Sequence, residues 1–265
     1  MLVFIIPLKS ARVSNSWERV SKLFERCVRS LCQQTSSEFR VIVVCHEKPD
    51  IEFSHPYITY IEVNFPIPII LKDKTNKGRD DQDKNRKVFT GLIHARQLKP
   101  SHIMLVDADD CVSKNLTEFV NQNSQHNGWF IDRGYEYQDG SDFIYHRKSN
   151  FHRKCGTSHI VRHDLIDPPS EVTLDDIDWN FLYHQEITNI MEKKGSPLDL
   201  LPFEGAIYIQ ENGENICNQE KILLKMFNKS FPKIILFYAR KNYKSLTSQR
   251  VTKSLRDEFG LYNIR

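Results

Sequence analysis

Apolar positions along this chain come in two spacings, and the alternation between them outlines its elements. Leu2 to Leu8 is an almost unbroken apolar run, the pattern of a strand covered on both faces. From Ser16 to Gln34, Trp17, Val20, Leu23, Phe24, Cys27, Val28 and Leu31 recur at helical spacing, which predicts a helix with Ser16 or Asn15 as its N-cap. Phe39 to Cys45 and Tyr57 to Val63 read as two further strands. Lys72 to Lys87 breaks the pattern. It is crowded with Lys, Arg and Asp, which predicts a mobile loop leading into a helix from Gln82 to Leu98. That helix turns Val88, Leu92, Ile93 and Ala95 inward and stops at Pro100. Ser101 to Val106 is then a strand, and it ends at Asp107.

Beyond Asp107 the spacing is less regular. Ser113 to Asn123 predicts a short helix capped by Ser113, and Trp129 to Arg162 has the short aromatic-rich alternation of a mixed or antiparallel extension of the sheet. Leu174 to Lys193 reads as a helix with Asp175 and Asp176 near its start, where the helix dipole favours acids. Pro202 to Gln210 reads as a late strand, and the tail from Asn218 as helical and basic. The expectation is an α/β fold with a mixed central sheet in one domain over 1–215, followed by a basic helical C-terminal extension over 216–265.

Composition narrows the possible partners. A chain of 265 residues can bury a sizeable core, and a net charge of +3 is too small to imply a nucleic-acid partner. No stretch approaches the roughly 20 apolar residues of a membrane span. The opening apolar run has no basic segment before it and no cleavage site after it, so it reads as a buried strand rather than a signal peptide. The 6 cysteines lack metal-site spacing and read as reduced thiols of a cytoplasmic protein. Phe231 to Arg265 is amphipathic and basic, a solvated tail or a surface for peripheral contact with the inner face of an acidic membrane.

The densest chemistry lies in Asp107-Ala-Asp-Asp110. Carboxylates two apart, directly after an apolar strand, sit at the carboxyl edge of a sheet, where open α/β folds bind ligands. Several such anions converging there call for a divalent cation, and Mg²⁺ or Mn²⁺ suits hard oxygen ligands and bridges to phosphates. A plain acidic turn is the competing account, and the position after the strand favours the ligand site.

The first 120 residues or so resemble the nucleotide-binding half of GT-A glycosyltransferases, the large inverting family A type. The likeness is carried by Val3-Phe-Ile-Ile-Pro-Leu8, Ser30-Leu-Cys-Gln-Gln-Thr35, Arg40-Val-Ile-Val-Val-Cys45, the basic segment Asp83 to Arg96 and Leu105-Val-Asp-Ala-Asp-Asp110. It implies a nucleotide-sugar donor, a UDP-sugar in the first instance, with 1–120 as the donor half and 121–215 as the acceptor half. Asp107 and Asp109 would hold the metal, Asp109 most directly and Asp107 nearer the ribose or sugar. Asp110 would bind the donor sugar or cap the next helix. Pro7 and Leu8 would border the base, Glu47 would hold it, and Lys84 and Lys87 would contact the diphosphate.

An inverting transferase also needs a carboxylate to deprotonate the acceptor hydroxyl, here on a saccharide or lipid-linked acceptor. Asp175-Asp-Ile-Asp-Trp179 comes nearest to the family's acidic helix start, which makes Asp176 the first candidate and Asp178 the second. Cys155-Gly-Thr-Ser-His159 resembles the family's glycine-containing loop. Tyr208 to Ile216 resembles its late strand and closing segment, with the expected histidine missing. A nucleotidyltransferase on a related fold, or an inactive sugar-nucleotide-binding protein, remains as an alternative. The former needs a Gly-rich basic loop after the first strand, and Lys9-Ser-Ala-Arg12 has the charge without the glycines.

Overall fold

The computed structural model describes residues 1–66, 77–166, 183–214, 239 and 242–264, with only the backbone of 77–81. Asp176 and Asp178 therefore lie outside the described residues, as does most of the Leu174 to Lys193 segment. In chain order the elements are β1 (Leu2–Pro7), α1 (Trp17–Cys32), β2 (Phe39–Cys45), β3 (Ile58–Glu62), α2 (Lys77–Gln97) and β4 (His102–Leu105). Then follow β5 (Cys111–Val112), α3 (Leu116–Gln122), β6 (Gly128–Phe130), β7 (Gly134–Gln138), β8 (Phe143–Arg147) and β9 (His159–Arg162). The last are α4 (Ile187–Lys193), β10 (Asp199–Leu200), β11 (Ala206–Gln210), β12 (Gln249–Arg250) and α5 (Lys253–Phe259).

A 7-stranded sheet runs in the order β10-β6-β9-β4-β1-β2-β3. Its β4-β1-β2-β3 half is all parallel, and β9 enters antiparallel between β4 and β6. The continuous apolar run of β1 follows from cover on both faces. Leu2, Phe4 and Ile6 pack with Val20, Phe24, Cys27 and Val28 of α1, while Val3 and Ile5 pack with Val88, Phe89, Leu92 and Ala95 of α2. The second contact is close. A Cβ on Gly91 would stand 2.5 Å from the Ile5 Cγ2, so the glycine lets α2 settle onto β1.

A second sheet of 5 strands, β12-β8-β7-β11-β5, is built from chain that follows β4. Trp129 to Arg162 is thus divided: β6 and β9 extend the main sheet, and β7 and β8 belong to the smaller one. The mixed α/β class expected from the sequence is the one observed, and three local expectations change. The helix expected from Gln82 begins five residues earlier, at Lys77, and within it the Asp83–Lys87 pair at 2.7 Å bridges one helical turn. The N-cap of α3 is Asn115, whose backbone N–H donates to the Ser113 hydroxyl at 3.2 Å. The described C-terminal residues join the body of the fold: β12 pairs with β8, and Leu255, Phe259 and Leu261 pack with Tyr137, Ile144 and Ile207. Arg26 of α1 is fully buried there, donating to Asp139 at 2.7 Å and to the Tyr262 carbonyl at 3.1 Å.

His102 at the start of β4 is fully buried against Trp129, with its Nε2 3.0 Å from the His126 carbonyl oxygen. Burial, only partly opposed by that hydrogen bond, takes its pKa down to about 4. An unfolded histidine titrates near ~6.5, so below that pH the unfolded chain binds a proton that the folded chain refuses. Stability therefore falls as pH drops toward 4, by about 1.4 kcal/mol per pH unit for such a group. A melting series from pH 7 to 5 should show His102→Asn losing less Tm over that range than the parent protein. Equal losses would contradict the assignment.

Candidate active site

The order β3-β2-β1-β4 puts a crossover reversal between β1 and β4, and in open α/β sheets ligands sit at the carboxyl ends of the strands there. Those ends carry Pro7-Leu8-Lys9 and Asp107-Ala-Asp-Asp110. The Leu8 N–H donates to the Val44 carbonyl and the Val106 N–H to the Ile5 carbonyl, both at 2.9 Å, so the ladder continues up to the acidic turn. The Asp110 N–H donates back to the Asp107 carbonyl at 3.1 Å and closes that turn.

The three carboxylates have different surroundings. Asp107 pairs with the Lys84 ammonium at 2.5 Å, and its backbone N–H donates to the Thr157 hydroxyl at 2.9 Å. Burial pushes its carboxyl up, but the charge and hydrogen bond of Lys84 outweigh that and leave it below the ordinary carboxylate range. Asp109 accepts from the Asn212 amide at 2.6 Å, and burial together with the Asp107 charge raises it to about 6. Asp110 is fully buried and accepts from the Thr157 hydroxyl at 2.6 Å, the Cys155 thiol at 3.2 Å and the Ile209 N–H at 3.0 Å. Burial and then its two acidic neighbours push its pKa up. Expected to meet a sugar or cap a helix, Asp110 instead fastens β11 and the 155–157 loop to the acidic turn. Gly156 lies against Asp107: a Cβ there would stand 2.7 Å from its Oδ2.

Of the two lysines expected at the diphosphate, Lys84 has 46% of its side chain exposed and Lys87 has 1%. Lys87 donates to the Leu8 carbonyl and to Asp83, each at 2.7 Å, and so pins the end of β1. The Leu8 side chain is itself in the core, and Pro7 is half-buried at the strand end. Glu47 accepts from the Ser10 hydroxyl at 2.9 Å and from the Ala11 N–H, which ties the loop after β1 to the end of β2. Glu214, which the sequence did not single out, pairs with Lys9 at 2.7 Å and accepts from the Asn15 and Ser16 N–H groups at 3.1 and 2.7 Å. Together with Asn212 it draws the end of β11 over the acidic turn and the loop after β1. Their only sequence signal was membership of the Tyr208 to Ile216 closing segment.

Three histidines gather on the Thr157 side: His152 in a single turn after β8, His159 at the start of β9 and His184 ahead of α4. His152 and His159 meet edge to face at 6.0 Å, and the Gln185 amide donates to the Arg153 carbonyl at 3.2 Å. His152 Nδ1, His159 Nε2 and His184 Nε2 are buried without a hydrogen-bond partner, which typically costs about 1–3 kcal/mol for each polar group. Read singly along the sequence, each looks like a structural or surface histidine.

The sequence matches no family model and no curated protein. Solved structures similar to the chain include S. aureus TarS 1-349, at 14% identity and a TM-score of 0.42 over 78% of this chain and 60% of that one. The same protein with UDP-GlcNAc gives 14% and 0.43 over 84% of this chain and 63% of that one. Francisella tularensis 2-C-methyl-D-erythritol 4-phosphate cytidylyltransferase gives 9% and 0.42 over 85% and 98%. The chain thus spans about 60% of the length of the first TarS structure. Likeness this distant decides nothing about fold family or chemistry.

Asp110→Ala leaves the Thr157 hydroxyl and the Ile209 N–H without their acceptor, and should lower stability by about 3 kcal/mol in urea unfolding. Asp109→Ala, at a partly exposed carboxylate, should cost under about 1 kcal/mol. The reverse ranking would mean that the roles of these neighbours are misassigned.

Proposed function

We propose that this chain transfers a sugar from a nucleotide-diphosphate sugar, a UDP-sugar first, to an acceptor hydroxyl on a saccharide or lipid-linked molecule. The observation that carries this reading is the Asp107–Lys84 pair beside Asp109, at the carboxyl ends of β1 and β4 where the strand order reverses. Lys84 is partly exposed and supplies a positive charge where a diphosphate would leave. The acceptor oxygen would attack the anomeric carbon as the bond from that carbon to the diphosphate oxygen breaks. The leaving diphosphate would take the electron pair, and Lys84 would offset its charge. Asp176, or failing it Asp178, would take the acceptor proton, with inversion at the anomeric carbon.

Among the described residues no three His, Cys, Asp or Glu side chains are placed to hold a metal ion. Asp107 and Asp109 would be the protein groups that hold a Mn²⁺ or Mg²⁺ ion, both being hard carboxylate ligands suited to it. Bound there, the ion would neutralise charge on the leaving diphosphate. Among the described residues no helix is long and apolar enough to cross a membrane. Peripheral membrane contact, should the acceptor be lipid-linked, would fall to the basic C-terminal stretch, where Tyr243 and Leu246 are exposed. The nucleotidyltransferase reading is less favoured because Lys9, the first cation after β1, is engaged by Glu214 and the loop is strapped to Glu47.

Thermal shift and donor hydrolysis with UDP-, GDP- and CMP-sugars test the proposal. A UDP-sugar with Mn²⁺ at a hundredfold excess over its Kd should raise Tm by about 5–10 °C, and Mn²⁺ alone should do far less. Lys84→Ala and Asp109→Ala should each remove most of that shift. If no sugar nucleotide stabilises the protein, the proposal fails. If a nucleoside triphosphate stabilises it and releases pyrophosphate, the nucleotidyltransferase reading replaces it.

A further inference from the structure

The three histidines beside Asp107 have no role in that account. We infer that His152, His159 and His184 form a subsite that recognises the hydroxyl groups of a sugar ring next to Asp107. The inference rests on the proposed sugar transfer and assigns residues that the sequence could not.

Each ring is held in place while one of its nitrogens is left over. His159 Nδ1 lies 3.1 Å from the Ser158 hydroxyl, and His152 packs edge-on against Phe130 at 4.8 Å. Asp132 stands 3.5 Å from His152 Nδ1, too far for a good hydrogen bond, and accepts from the Asn150 N–H at 2.7 Å. His184 lies against the Arg153 carbonyl and within electrostatic reach of Asp107, Lys84, His152 and His159. What remains is one buried, unpartnered nitrogen on each of three adjacent rings. Buried polar atoms normally find partners, and three exceptions gathered in one cluster fit a site completed by a ligand.

The chemistry of that ligand follows from the rings. Burial lowers all three, His159 to about 3, so they are neutral imidazoles with donor and acceptor nitrogens rather than cations. Neutral donors and acceptors suit uncharged hydroxyls better than an anion. A sugar joined to a diphosphate at Lys84 and Asp107 would extend into this neighbourhood, as would the sugar ring of an acceptor. A metal ion is disfavoured because no three such side chains among the described residues are spaced for one.

Histidine-selective ¹⁵N labelling of the full chain reads the subsite directly, with the 10 imidazoles assigned by single His→Gln variants. Spectra are recorded with Mg²⁺ and UDP, then with UDP-glucose or UDP-GlcNAc, then with UDP and a free saccharide. At least two of the three signals should move with a UDP-sugar beyond their positions with UDP, if the ring is the donor's. They should move with UDP and saccharide if it is the acceptor's. Signals that respond to UDP alone and to nothing further would overturn the subsite and leave the sugar-transfer reading standing. If UDP and its sugars perturb no residue of the chain, both fall together. Zn²⁺ moving all three signals would replace the hydroxyl subsite by a metal site.

Discussion

Three carboxylates within four residues, partly or wholly withdrawn from water, repel one another unless each is given its own partner. The fold around the acidic turn meets that constraint with groups brought from distant parts of the chain. Lys84 comes from α2, Asn212 from the segment after β11, and Thr157 with Cys155 from the loop before β9. Satisfying Asp110 joins the two sheets, because its partners are the backbone of β11 in one and the approach to β9 in the other. The acidic turn thereby adds a polar link between two sheets that also share an apolar core.

The same demand leaves a graded site. Asp110 is consumed by structure, Asp109 shares itself with Asn212, and Asp107 with Lys84 still reaches solvent. A cluster that looks uniform in sequence thus divides into one anchor and two groups within reach of a ligand. The strap from Lys9 to Glu214 and the tether from Ser10 to Glu47 hold the loop after β1 against this edge, so both strand ends forming the crevice are fixed.

Much of this was legible in the sequence. β1, α1, β2, β3 and β4 follow from two periodicities, because strands covered on both faces read as unbroken apolar runs. The start of α2 was hidden, since its opening residues Lys77 to Asp81 include no apolar side chain and leave no stripe to count. The contacts of Lys87 and Glu47 were hidden for a related reason: a charge at the mouth of a site looks the same in sequence whether it faces a ligand or, as Lys87 does, a backbone carbonyl. Asn212, Glu214 and the three histidines could not be found from spacing, because only tertiary packing brings them to the acidic turn.

The central claim is that the Asp107–Lys84–Asp109 edge holds a diphosphate. Anomalous diffraction from crystals grown with Mn²⁺ and UDP tests it most directly. The account predicts one manganese peak between the Asp109 carboxylate and the UDP phosphates, with the Lys84 ammonium on a phosphate oxygen. UDP bound elsewhere, or manganese sitting away from these two aspartates, would contradict it.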